Sequence, residues 1–196
     1  MWNSYPRKSK LIDLKFGLTG DTHNNLKNIE KICSIFNNCS VDFVIHTGDI
    51  TLPKSLEVFK LLKMPLNGVF GNNDLEEKDK LLEVCDKYSF SFSDLLKIDL
   101  PNERVLYAVH DPEDFKDYFF GDNNIIVHGH THRYRNEVLN GSYIFNPGEC
   151  AGIMKGMNQV GIVSVHESKM EIVKFPKIYI RLDKNYLKEC LIIKSE

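Results

Sequence analysis

No stretch of this 196-residue chain approaches the roughly 18 consecutive apolar residues of a membrane span, and the polar, basic Met1 to Lys10 has no apolar core behind it. No visible signal therefore directs the chain to a membrane or to secretion. Net charge is equally sparse. A formal charge of -2 and a pI near 6.4 provide no global field for a polyanion, which argues against a dedicated nucleic-acid-binding domain and requires any anion to be held by a local site. The five cysteines (Cys33, Cys39, Cys85, Cys150, Cys190) are odd in number and contain no CxxC pair, a pattern that fits a reduced, cytoplasmic compartment. Internal repeats, low-complexity tracts and linkers are absent. With 42% hydrophobic residues the chain can bury one sizeable core and is short for two, so a single domain over residues 1–196 is expected.

What the sequence does contain is a regular alternation of apolar runs. Leu26, Ile29, Ile32, Cys33 and Phe36 recur at helical spacing behind the capping candidates Asn24 and Asn25. Phe43 to His46 and Leu66 to Phe70 read as buried strands, and between them Pro53 opens a helical stretch carrying Leu56, Phe59 and Leu62. Strand, helix, strand, helix, strand is a right-handed α/β wind, in which ligands gather beyond the carboxyl ends of parallel strands. A helix from about Glu76 to Tyr88 follows. The second half then turns to short β runs, including a hairpin around Asn140-Gly141 and another joining Val160 to Val165 with Met170 to Phe175. The expected fold class is α/β: a two-sheet β-sandwich flanked by helices, four layers in all. Residues from 176 to 196 form an apolar and basic extension with no assigned structure.

Polar residues that bind divalent metals close several of these strands. Asp21 and His23 follow Phe16-Gly17-Leu18-Thr19, Asp49 follows Phe43-Val44-Ile45, and Asn72 follows Gly68-Val69-Phe70. His110 follows Val105-Leu106-Tyr107, and His128 and His130 follow Ile125-Ile126-Val127. Each cluster alone is weak: Asp-x-His is usually a surface accident, and Gly71-Asn72-Asn73-Asp74 would ordinarily be an Asx-capped loop. Together they supply two carboxylates, one amide oxygen and four imidazoles, too many for one tetrahedral zinc and right for two ions sharing a bridge. Gly48 lets the backbone turn sharply, so that Asp49 can be that bridge. Two ions about 3.5 to 4 Å apart would lower the pKa of a bridging water to about 7 and clamp the attacking and leaving oxygens of a phosphate ester. His46, inside an apolar strand, is expected to hydrogen-bond behind the ligands, and His166 to be a solvated strand-end residue.

The succession Asp21-Thr22-His23, Gly48-Asp49, Gly71-Asn72-Asn73-Asp74, His110 and Gly129-His130-Thr131-His132 resembles the calcineurin-like metallophosphoesterase family, most of all its small single-domain phosphodiesterase branch. Asn146-Pro147-Gly148 is similar to that branch's turn after the last metal cluster. The resemblance runs from about Lys15 to Phe175. It implies one ion on Asp21, His23, Asp49 and His130 and another on Asp49, Asn72, His110 and His128. Manganese is expected, with nickel, cobalt, iron or zinc as alternatives. Asp49, Asn72 and His130 would then be catalytic, and Asn73, His132 and Lys155 would contact substrate, with Arg133 and Arg135 as further phosphate contacts. Departures are visible too. Many members carry a proton-donating histidine where Asn73 stands, His110 continues into Asp111-Pro112 in place of glycine and histidine, and Glu149 occupies a common serine position. The arginines with which protein phosphatases hold a phosphomonoester dianion are missing after Asp49 and Asn72.

The expected activity is hydrolysis of a small phosphodiester or nucleotide-derived substrate by in-line attack of a metal-bridging hydroxide. The chain is also open to homo-oligomerisation. The alternative is a non-catalytic scaffold, the use to which a subunit of the endosomal retromer sorting complex puts this fold. A repair nuclease would need an added DNA-binding domain and a basic surface that the sequence does not show.

Overall fold

The computed structural model describes residues 14–115, 121–153 and 158–176. Lys155 and nearly all of the C-terminal extension lie outside them. Two mixed sheets face one another. The first has six strands: β1 (Lys15–Thr19), β2 (Phe43–His46), β3 (Leu66–Val69), β4 (Ser91–Ser93), β10 (Gln159–Ser164) and β11 (Lys169–Lys174), in the order β11-β10-β1-β2-β3-β4. From β1 to β4 the pairing is parallel, and β10 and β11 add on antiparallel. The second sheet contains β5 (Leu96–Asp99), β6 (Val105–Ala108), β7 (Ile125–Val127), β8 (Arg135–Leu139) and β9 (Ser142–Asn146), in the order β5-β6-β7-β9-β8.

Alternation along the strands divides the core in two. Phe16, Leu18, Phe43 and Ile45 point between the sheets and meet Leu106, Ala108, Ile125, Val127 and Phe145, with the rings of Phe16 and Phe43 stacked at 5.3 Å. Val44 and Leu66 point the other way, onto helices α1 (Leu26–Cys39), α2 (Pro53–Val58) and α3 (Lys78–Tyr88). Each fully buried Ile, Leu or Phe here contributes about 1.5–3 kcal/mol. Helix α1 starts where expected, because Asn25 caps it by accepting a hydrogen bond from Asn28 N at 3.1 Å. The second helix is shorter than its periodicity predicts. It gives way at Phe59 to the 3-10 turn Phe59–Leu61, which seats the Phe59 ring edge-on against His46 at 5.3 Å.

Because β1, β2, β3, β6 and β7 all run in one direction, their carboxyl ends meet at one end of the sandwich. Asp21, Asp49, Asn72, His110 and His128 follow these five ends directly or within a few residues. No described helix is long and apolar enough to cross a membrane.

Candidate metal centre

The loops after β1 and β2 are knit by backbone. Asp21 N donates to Gly48 O and His23 N to Asp49 O, both at 2.9 Å. Gly48 has φ of 97°, and a Cβ there would lie 2.6 Å from His110 Nδ1, so glycine is required on both counts. Asp21, His23, Asp49, Thr51, His130 and His132 all adopt left-handed backbone, with φ between 44° and 78°. Non-glycine residues are held in that region at a cost of order 1–3 kcal/mol, and such strain concentrates at functional sites.

Acceptor atoms converge at this end without enough protons between them. His110 is buried, and its Nδ1 donates to Thr47 O at 2.8 Å, which leaves the Nε2 lone pair facing inward. That lone pair meets Asn72 Oδ1 at 3.0 Å, His130 Nδ1 at 3.2 Å and Asp49 Oδ1 at 3.5 Å. Asn72 Oδ1 is also 3.1 Å from His130 Nδ1. A second group lies beside the first: His132 Nε2 is 3.5 Å from Asp21 Oδ1, and the rings of His23 and His132 are 5.5 Å apart. Ligand atoms of Asp21, His23 and His132, and likewise those of Asp21, Asp49 and His110, lie within 4.8 Å of one another. Asp21 Oδ2 is buried and has no hydrogen-bond partner among the described residues. Burial, helped by the neighbouring Asp49 charge, pushes the Asp21 carboxyl up to about 8. An orphaned carboxylate oxygen beside converging oxygen and nitrogen atoms is what a divalent cation satisfies, so the donor set fits metal.

Residues 14–168 match the calcineurin-like phosphoesterase superfamily domain. The chain belongs to this superfamily, a family of phosphoric ester hydrolases. It is 28% identical over 159 residues to phosphodiesterase MJ0936 of Methanocaldococcus jannaschii, a match covering 80% of this chain and 96% of the relative. Among solved structures it is similar to a novel archaeal phosphodiesterase, with a TM-score of 0.73 at 26% identity over 83% of this chain and all of that one. The E. coli phosphoesterase YfcE shares the fold at a TM-score of 0.62 and 18% identity, over 84% of this chain and all of that one.

Within this superfamily fold the structure departs from the expected residue set at three places. His128 is buried with both ring nitrogens engaged elsewhere: Nδ1 lies 3.0 Å from Gly129 O and Nε2 3.4 Å from Arg135. Burial, with Arg135 adding to it, holds the His128 imidazole down to about 4. His132, expected as a substrate contact, lies beside Asp21 and His23, and His130 lies on the Asn72 and His110 side. The cause lies in Gly129, where a Cβ would fall 2.7 Å from Thr47 Oγ1 and 2.9 Å from Asp21 Oδ2. The chain passes hard against the Asp21 loop there, and left-handed His130 and His132 then both turn inward. Asn73 is the second departure. Its backbone N donates to Asp49 Oδ1 at 3.0 Å and its side-chain Nδ2 to Asp49 Oδ2 at 2.7 Å, so it clamps the carboxylate from an exposed position. Third, Arg135 is paired with Glu137 at 2.6 Å, whereas Arg133 is exposed.

Several residues support the donors from behind, in roles that the sequence left unassigned for Asp74 and Asn146. The buried carboxylate of Asp74 accepts from the backbone N of Asp49 at 2.9 Å, Gly71 at 2.7 Å and Thr51 at 2.6 Å, tying two ligand loops together. Its pKa is raised, chiefly by burial, against the lowering effect of those donors. Asn146 Nδ2 donates to Gly129 O at 3.0 Å and so pins the histidine loop. His46 behaves as expected: it is fully buried, accepts from Gly48 N at 3.1 Å and meets Thr22 Oγ1 at 2.9 Å, joining the first two ligand loops. His166 is exposed in the turn after β10, also as expected.

Proposed function

We propose that the chain is a metal-dependent phosphodiesterase with a dinuclear site. One ion is assigned to Asp21, His23, Asp49 and His132, and the other to Asp49, Asn72, His110 and His130. The observation that carries this reading is the convergence of Asp49 Oδ1, Asn72 Oδ1 and His130 Nδ1 within 3.5 Å of His110 Nε2, beside the orphaned Asp21 Oδ2. When bound, two divalent ions supply Lewis acidity toward a phosphoryl oxygen and activation of water near neutral pH. Manganese is the assigned resident, from the mixed carboxylate, amide and imidazole donors.

The protein's own residues determine which ester suits the site. Asn72, Asn73, His130 and Thr131 are exposed and form its mouth. Asp111 adds a carboxylate there, 3.6 Å from His130 Nε2, while Arg135 is occupied by Glu137. A monoester dianion meets added negative charge and gains little positive charge, whereas a diester carries one charge fewer. Asn73 holds Asp49 and its amide cannot act as a general acid, so good leaving groups are favoured. A small, nucleotide-derived diester fits these constraints. The four described cysteines are free thiols, which supports a reducing, cytoplasmic setting.

The test is a panel of aryl diesters, aryl monoesters, cyclic nucleotides and nucleotide pyrophosphates given to manganese-loaded protein. Diesters are expected to be hydrolysed at least about tenfold faster than monoesters, with rates falling steeply as leaving-group pKa rises. Faster monoester hydrolysis would contradict the assignment. Two firmly held ions with no hydrolysis of any ester would favour the scaffold.

A further inference from the structure

The two ring nitrogens of His130 face different surroundings. Nδ1 lies among the converging lone pairs, 3.1 Å from Asn72 Oδ1 and 3.2 Å from His110 Nε2, while Nε2 lies 3.6 Å from Asp111 Oδ2. Asp111 is itself fixed. Its Oδ1 accepts from Glu113 N at 2.8 Å and its carbonyl from Asp114 N at 3.1 Å, at the start of the 3-10 turn Pro112–Phe115. One carboxylate oxygen therefore holds the turn and the other is left for the imidazole. A neutral imidazole carries one ring proton, and a carboxylate facing Nε2 keeps that proton there, leaving the Nδ1 lone pair toward the cluster.

We propose that Asp111 is a positioning residue, the outer carboxylate of an Asp111–His130–metal triad that fixes the His130 tautomer and strengthens His130 as a ligand of the ion it shares with Asn72 and His110. The proposal rests on the dinuclear reading above and deepens it. The side chains of His130 and Asp111 are 43% and 35% exposed, so as a bare ion pair they would contribute little to stability. The effect must be read in metal affinity, where partners of this kind are worth about 10- to 100-fold.

Asp111→Asn separates this role from a structural one, because asparagine keeps an acceptor for Glu113 N but loses the charge facing His130. Metal-stripped full-length protein and the variant are titrated with Mn2+ alone, following free Mn2+ by electron paramagnetic resonance, with thermal melts of both metal-free proteins alongside. The wild type is expected to take two ions. Asp111→Asn is expected to keep one at wild-type affinity and to bind the other about 10- to 100-fold more weakly, with an unchanged metal-free melt. Asp111→Glu, which retains the charge and can span the gap, should stay within a few-fold of wild type. Wild-type affinity for both ions in Asp111→Asn overturns the proposal alone. Equal weakening of both ions, or equal weakening in Asp111→Glu and Asp111→Asn, assigns the loss to the turn and also overturns it. A wild type that holds only one ion overturns the dinuclear reading, and this proposal with it.

Discussion

At the end of the sandwich where β1, β2 and β7 finish, six non-glycine residues adopt left-handed backbone: Asp21, His23, Asp49, Thr51, His130 and His132. At the opposite end seven others do so: Asn102, Glu103, Asn123, Asn140 and Ser168 in loops before or between strands, and Ser40 and Ser89 as the caps of α1 and α3. The conformation is shared and the chemistry differs. None of the far-end residues is buried, and three of them are asparagine, which tolerates φ > 0 at low cost; Asn140-Gly141, with φ of 49° and 78°, makes the tight hairpin turn its sequence announces. At the site end the strained positions include the buried Asp21 and Asp49, beside the orphaned Asp21 Oδ2. Turn chemistry relieves one end, whereas the other keeps an orphaned carboxylate oxygen beside converging donor atoms, an arrangement that suits a cation.

Breaking the bridge should have the largest effect. Asp49→Asn removes a charge assigned to both ions, and kcat/KM on an aryl phosphodiester is expected to fall more than about 100-fold. Next comes the frame behind it. Asp74→Ala leaves the amides of Asp49, Thr51 and Gly71 without their shared acceptor and should cost about 3 kcal/mol or more in urea denaturation of the metal-free protein. A smaller effect is set by pH. Burial holds the His46 imidazole down to about 3 from its ordinary 6.5, so the folded form carries the neutral ring. The stability this provides is fully present above the ordinary value and is lost as pH falls toward 3, at most about 1.4 kcal/mol per pH unit; the slope should shrink in His46→Asn. The smallest effect belongs to the far end. Asn140→Ala should cost about 1 kcal/mol of stability and leave activity unchanged, and a large loss of activity there would blur the contrast between the two ends.

The sequence makes the architecture legible wherever apolar runs are punctuated by turn residues. β2, β3 and both hairpins stand out for that reason, and the capped α1 does too. β4, with Ser-Phe-Ser, and β5, with Leu-Lys-Ile-Asp, carry too little apolar periodicity to be seen before their neighbours are placed. Five of the seven gathered metal-binding candidates follow from strand-end position. The choice among His128, His130 and His132 does not, because either pair has the same i, i+2 spacing. What brings His130 and His132 beside the other donors is the passage of the chain at Gly129 hard against Thr47 and Asp21, more than 80 residues away in sequence. Asp74 and Asn146 stood in the sequence only as members of the runs Gly71-Asn72-Asn73-Asp74 and Asn146-Pro147-Gly148, because their work is done on backbone amides and carbonyls, which leave no residue pattern of their own.

The central claim, two ions held with His132 and without His128, is tested most directly by the metal content of His132→Ala and His128→Ala after dialysis against Mn2+. The account predicts that His132→Ala loses about one of two ions while His128→Ala, if folded, retains both. Retention of both ions by His132→Ala, with loss of one by a folded His128→Ala, would contradict it.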